Sequence, residues 1–148
     1  MALLSNWNVL CWNIRGMNSN PKLLALSNAI ATSGCSVDCL QETKKTAFDN
    51  SYIKSCCPKR FDKFAFIPSR GASGGIVTIW NSAIFTGTVL IEEEFALVIH
   101  FKSTQSAQML TIVNIYGPCQ GDSRIYYTNW LLNLNIPNNE DWLLVGDF

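Results

Sequence analysis

The stretch from Phe61 to Tyr116 constrains this chain most. It holds five short apolar runs, near 61–67, 74–80, 84–91, 95–102 and 108–116, set apart by Gly, Asn, Ser or charged clusters. Runs of that length and composition, bounded by turn formers, read as strands. Between Phe95 and Lys102 the alternation is two-fold: Phe95, Leu97, Ile99 and Phe101 fall on one face, His100 and Lys102 on the other. Gly117-Pro118 ends the run.

The flanks are mixed. Trp7 to Ile14 reads as a buried strand that Gly16 breaks. Asn20-Pro21 offers a helix cap and a first-turn proline, Leu23, Leu26 and Ile30 follow at helical spacing, and Gly34 is a stop. Val37 to Gln41 is a second strand with Glu42 at its end. Strand, helix, strand favours a parallel pair joined by a crossover. Arg124 to Leu134 reads as a helix with Ile125, Trp130, Leu131 and Leu134 available for its inner side, and Trp142 to Val145 as a last strand delivering Gly146-Asp147-Phe148. The expected class is α/β (α+β), two packed sheets with helices outside. No repeat, low-complexity run or linker divides residues 1–148.

Composition narrows the function classes. At 48% hydrophobic and 15% charged residues the chain can build a core and is not of a disordered type. No run of about 18 apolar residues suggests a membrane span, and the N-terminus lacks the marks of a signal peptide, so an intracellular site of action, the nucleus included, is expected. The six cysteines, Cys11, Cys35, Cys39, Cys56, Cys57 and Cys119, are then expected to be reduced and mostly buried. Zinc is disfavoured, since no C-x-x-C occurs and His100 is the only histidine. Net charge is zero, yet seven of the 11 basic residues (Lys44, Lys45, Lys54, Lys59, Arg60, Lys63 and Arg70) share one segment. Such a surface could meet phosphates, and charge alone reads equally as a solvated face.

Chemistry is suggested by polar residues at strand ends. Asn13, Glu42 and Asp147 each close an apolar strand, where a rigid sheet opens to solvent. Two carboxylates and a carboxamide are the hard oxygen donors magnesium prefers, and a metal so held can polarise a phosphoryl oxygen. Tyr116 also closes a strand, and its phenol can donate to a phosphate. Taken singly, each has a plainer reading: Asn13 as a turn former, Glu42 and Asp147 as caps or solvated ends, Tyr116 as a tyrosine at the core's edge. Spacing alone does not prove that they converge.

Five motifs occur in order: Trp12-Asn13-Ile14-Arg15-Gly16, Leu40-Gln41-Glu42-Thr43-Lys44, Gly71-Ala72-Ser73-Gly74-Gly75-Ile76, Asn114-Ile115-Tyr116-Gly117-Pro118 and Gly146-Asp147-Phe148. In that order the chain resembles the endonuclease/exonuclease/phosphatase superfamily, and within it the endonuclease domains of plant-type non-LTR retrotransposons, which are similar to apurinic-site endonucleases. The resemblance implies a deoxyribonuclease-like four-layer fold and metal-dependent hydrolysis of DNA phosphodiesters. It makes Glu42 the principal metal ligand with Asn13 beside it, for Mg2+ or else Mn2+. Tyr116 would contact the scissile phosphate, Asp147 would position or activate the attacking water, and Ser73 and Gly74 would lie in a substrate-side loop. Arg15 departs from the acidic residue of repair enzymes. The family's asparagine after Gly-Asp-Phe, its later aspartate and its Asp-His pair have no counterpart here, and His100, inside an alternating strand, is not a substitute. Residues 1–148 are therefore expected to be the N-terminal portion of such a domain, inactive or nearly so alone, and prone to associate through an exposed sheet face. Two alternatives stay open: a phosphomonoesterase of the same superfamily, and a non-catalytic decayed remnant.

Overall fold

The computed structural model describes residues 7–119, 121–135 and 140–148. The order of elements is β1 (Val9–Asn13), α1 (Asn20–Ser33), β2 (Val37–Gln41), α2 (Asn50–Cys56), β3 (Lys63–Ile67), β4 (Ile76–Trp80), β5 (Phe85–Glu93), β6 (Ala96–Ser103), β7 (Met109–Tyr116), α3 (Gly121–Leu132) and β8 (Trp142–Asp147). The strands form two four-stranded sheets, β1-β2-β4-β3 and β5-β6-β7-β8. β1 and β2 are parallel through the α1 crossover, and β7 and β8 are parallel through α3; the other pairs are antiparallel.

Three apolar clusters stack through the molecule. One lies between the first sheet and the helices α1 and α2, with Leu26, Ile30, Leu40, Ile53 and Ile79. A second lies between the sheets, with Val37, Cys39, Ile76, Leu97, Ile99 and Phe101. A third lies under α3, with Ala96, Val98, Val113, Ile115 and Tyr127. The layers are therefore helix, sheet, sheet, helix, the expected two-sheet arrangement with outer helices. Central strands are covered on both faces, which is why β2 and β4 are buried at every position rather than alternately.

Several local expectations change. Ser19, not Asn20, is the N-cap of α1, and it makes no side-chain cap bond; Gly34 closes the helix at φ 65°. Phe95 precedes β6 and packs beneath α3 against Tyr126, Tyr127 and Trp130, rather than with Leu97, Ile99 and Phe101 between the sheets. Ile125 points outward: α3 begins at Gly121, and its inner stripe runs through Tyr127, Trp130 and Leu131. α2 is an element that the apolar spacing did not announce. Asp49 caps it, accepting from the Tyr52 backbone N–H at 2.7 Å, and Ile53 and Cys56 bury its inner face. All six cysteines are free, four of them buried, with Cys11 and Cys119 exposed. Among the described residues no helix is long and apolar enough to cross a membrane.

Candidate active site

Each parallel pair sends its two C-terminal ends to the same rim. Asn13 is the last residue of β1, Glu42 follows β2 directly, Tyr116 ends β7 and Asp147 ends β8. Tyr116 and Asp147 are partners in the β7–β8 register. Across the sandwich, the Asn13 carboxamide Nδ2 donates to Asp147 Oδ2 at 2.7 Å. The Tyr116 phenol lies within electrostatic reach of the Glu42 and Asp147 carboxylates. The four strand-end residues thus meet at one place. Burial, reinforced by the Glu42 carboxylate and then by Cys119 and Asp147, holds the Tyr116 phenol above its ordinary pKa, so it stays protonated and able to donate.

The local backbone is unusual for reasons the sequence supplies. Gly146 has φ 134°, and a Cβ there would sit 1.9 Å from the Ile115 carbonyl oxygen. Only glycine lets β8 approach β7 this closely just before Asp147. Arg15, Glu42 and Lys44 all adopt left-handed conformations, near φ 55°. Each costs of the order of 1–3 kcal/mol, and such residues cluster at functional sites. Backbone bonds hold them: Gly16 N–H donates to the Glu42 carbonyl at 2.7 Å, Thr43 N–H to Gly75 at 3.1 Å and Lys44 N–H to Gly74 at 2.9 Å. At Gly75 a Cβ would meet Thr43 Oγ1 at 2.3 Å, which fixes that glycine as well.

Ser73 and Gly74 do not join the four directly. Ser73 is exposed, its hydroxyl donating to the Arg70 carbonyl at 3.3 Å. Both residues line a cavity of about 540 Å³ that Tyr116 also borders. Asn13 and Asp147 line a second hollow of about 550 Å³ together with Arg15 and Lys22. Those two cations stand beside Asn13 and Asp147, and of the basic segment Lys44 follows Glu42 closely and Arg70 lines the cavity at Tyr116. Within that segment Lys45 lies over the Tyr52 ring at 4.0 Å, Arg60 over Phe61 at 5.2 Å, and Arg70 pairs with Glu94 at 3.4 Å.

Two further residues support the site and were not singled out in the sequence. Gln41 Nε2 donates to Asn114 Oδ1 at 2.7 Å, and Asn114 Nδ2 donates to the Val77 carbonyl and to Thr78 Oγ1, each at 3.1 Å. This fully buried bridge ties β2 and β4 to β7 between the sheets. Gln41 precedes Glu42, and Asn114 lies two residues before Tyr116 on the same face, so the bridge fixes the spacing of the two. The available signal was a carboxamide inside the apolar run Leu110–Tyr116. His100 is remote: its ring Nδ1 shares a 2.9 Å hydrogen bond with Thr111 Oγ1, five residues along β7 from Tyr116, or about 17 Å at strand rise. Among the described residues no three His, Cys, Asp or Glu side chains gather as a metal-binding group.

No family model matches the chain. Solved structures share its fold. The catalytic domain of Xenopus laevis APE2 is 17% identical with a TM-score of 0.66, over 94% of this chain and 57% of that one. The endonuclease domain of TRAS1, a telomere-specific non-LTR retrotransposon, is 14% identical with a TM-score of 0.63, over 94% and 58%. D. rerio TDP2, solved with a single-strand DNA product, is 14% identical with a TM-score of 0.57, over 93% and 58%. The chain shares the fold of these structures and spans less than two thirds of the length of each.

Proposed function

We propose that this chain is the N-terminal portion of a metal-dependent DNA endonuclease of retrotransposon type, and that it hydrolyses phosphodiesters weakly or not at all by itself. The observation that carries the reading is the meeting of Asn13, Glu42, Tyr116 and Asp147 at the ends of two parallel strand pairs. The donor set fits a hard divalent ion, Mg2+ with Mn2+ as substitute: Glu42 would supply a carboxylate, and the Asn13 carboxamide oxygen, which accepts the Arg15 backbone N–H at 3.3 Å, would offer its second lone pair. Such an ion would draw charge from the phosphoryl oxygens as attack proceeds. Asp147, oriented by the Asn13 carboxamide, accepts a proton from the attacking water and aims it. The neutral Tyr116 phenol donates to a non-bridging phosphate oxygen, and Arg15 and Lys22 supply positive charge beside it.

DNA as substrate is supported by the neighbours, since TRAS1 is a retrotransposon endonuclease and TDP2 carries a DNA product. Low turnover is supported by His100, the only histidine, being held at Thr111 far from the rim. Losing one acid–base group costs about 10²- to 10⁴-fold in rate. Two measurements test the reading. Calorimetric Mg2+ binding should be lost in Glu42→Gln. Trace nicking of supercoiled plasmid should vanish with chelator and in Asp147→Asn, with no release of phosphate from small monoesters. Unchanged Mg2+ affinity in Glu42→Gln would remove the assigned role of Glu42, and preferential monoester cleavage would move the chain to the phosphatase class.

A further inference from the structure

We propose that the cavity bordered by Tyr116 receives a nucleobase of the substrate strand rather than a second phosphate. The proposal rests on the phosphodiesterase reading above and deepens it by assigning a base subsite. Tyr116 and Tyr126 of α3 both line this cavity, which has about 540 Å³ of space, within the range of small-molecule sites. Tyr126 is 59% exposed and packs in an edge contact with the buried Phe95 at 5.7 Å between centroids. A fixed aromatic ring with a free face is a stacking platform for any base. Pro118 adds an apolar edge.

Charge decides between base and phosphate. The lining has two carboxylates, Glu94 and Asp122, and one cation, Arg70, which Glu94 already pairs at 3.4 Å. The sum is one net negative charge, which repels a phosphate. The same carboxylates can accept hydrogen bonds from base amino and imino groups. The cations that could hold backbone phosphates, Arg15 and Lys22, lie instead in the other hollow, with Asn13 and Asp147. A strand whose phosphate rests at Tyr116 would therefore lay its backbone toward Arg15 and Lys22 and turn one base onto Tyr126.

The test compares two fluorescent single-stranded oligomers by anisotropy at fixed salt. One is a short deoxythymidine oligomer, the other the same length with base-free sugars. The chain should bind the thymidine oligomer more tightly. Tyr126→Ala should weaken that binding by roughly 5- to 160-fold, the span expected for one stacked base, and leave the base-free oligomer unchanged. Tyr126→Phe should restore wild-type binding, because the ring rather than the hydroxyl does the stacking. If Tyr126→Ala alters neither oligomer, or both equally, or if Tyr126→Phe binds no better than Tyr126→Ala, the base subsite is refuted and the phosphodiesterase reading is untouched. If the unaltered chain binds neither oligomer, the base subsite is refuted, and Mg2+ binding and plasmid nicking decide the phosphodiesterase reading separately.

Discussion

Asp38 offers the sharpest physical test of this structure. It sits in β2, fully buried, with neither carboxylate oxygen meeting a hydrogen-bond partner. Its side chain points into the layer beneath α1 and α2, beside Cys56. Burial, with a small contribution from Cys56, pushes its pKa well above the ordinary 3.8. The group is therefore held as the neutral acid, an unpaired polar group costing about 1–3 kcal/mol. Leucine branches at the same carbon as aspartate and adds apolar contact, while its bulkier methyl groups cost part of that gain. Near the unfolded pKa, at about pH 4, Asp38→Leu is expected to stabilise the fold by about 2 kcal/mol, or about 4–8 °C in Tm for a chain of this size.

The pH dependence has a definite sign. The folded state keeps a proton that the unfolded chain releases near pH 3.8, so the folded state binds more protons above that pH. The Asp38 contribution to stability is complete below the unfolded pKa. It is lost as pH rises through the folded pKa, by up to about 1.4 kcal/mol per unit. Urea unfolding followed by tryptophan fluorescence at pH 5 and pH 8 reads this directly. The advantage of Asp38→Leu over the unaltered chain should widen from pH 5 to pH 8. Asp38→Asn, neutral at every pH and still unpaired, should share the widening with less gain at pH 5. An Asp38→Leu variant less stable than the parent by more than 1 kcal/mol, or an advantage that narrows with pH, would show that Asp38 has a stabilising partner and that its burial is misread.

Other expectations follow from single residues. Asn114→Leu removes the partner that Gln41 Nε2 meets at 2.7 Å, leaving it the Cys39 carbonyl at 3.2 Å, and should cost about 1–3 kcal/mol in urea unfolding. Gly146→Ala drives a methyl into the Ile115 carbonyl and should break the β7–β8 pairing, seen as loss of amide-exchange protection at Thr111–Tyr116. Ultraviolet titration should place the Tyr116 phenol above pH 10, and Glu42→Gln should lower it, because a neutral carboxamide no longer opposes the phenolate. A thiol reagent should modify Cys11 and Cys119 quickly and the four buried cysteines only on unfolding.

Much of the fold was legible because local patterns and layer logic agree. Val37–Gln41 was bounded without error, since a polar residue closes a run buried on both faces. The failures share a cause. Phe95 obeyed the alternation of β6 but belongs to the turn before it, where α3 rather than the opposite sheet supplies its neighbours. Ile125 fitted a helical stripe only if the helix began at Arg124; a start at Gly121 makes Tyr127 the buried residue. The short α2 carried its signal in one capping side chain, too little for an apolar period to register. Asn114 was hidden differently: its partner Gln41 lies 73 residues away, so nothing local gave its amide a purpose.

The site obeys a rule of direction that no single motif states. Parallel neighbours end on the same rim, so the last residues of β1, β2, β7 and β8 are brought together, although Asn13 and Asp147 are 134 residues apart. Antiparallel strands reach that rim with their beginnings instead. β4 runs against β2, so Ser73-Gly74-Gly75 arrives there just before its first residue, bonded to Thr43 and Lys44. β6 runs against β7, so Glu94 and Phe95 arrive there as well, and Tyr116 N–H bonds the Phe95 carbonyl at 2.9 Å. The far ends of the same antiparallel strands, Trp80 and Ser103, carry nothing to the rim. Polar strand ends and strand beginnings thus sort by direction, and the sequence order of the five motifs is what this alternation of parallel ends and antiparallel beginnings requires. A chain in which β8 ran antiparallel to β7 would keep every motif and lose the site, because Asp147 would then stand at the opposite edge from Asn13 and Tyr116.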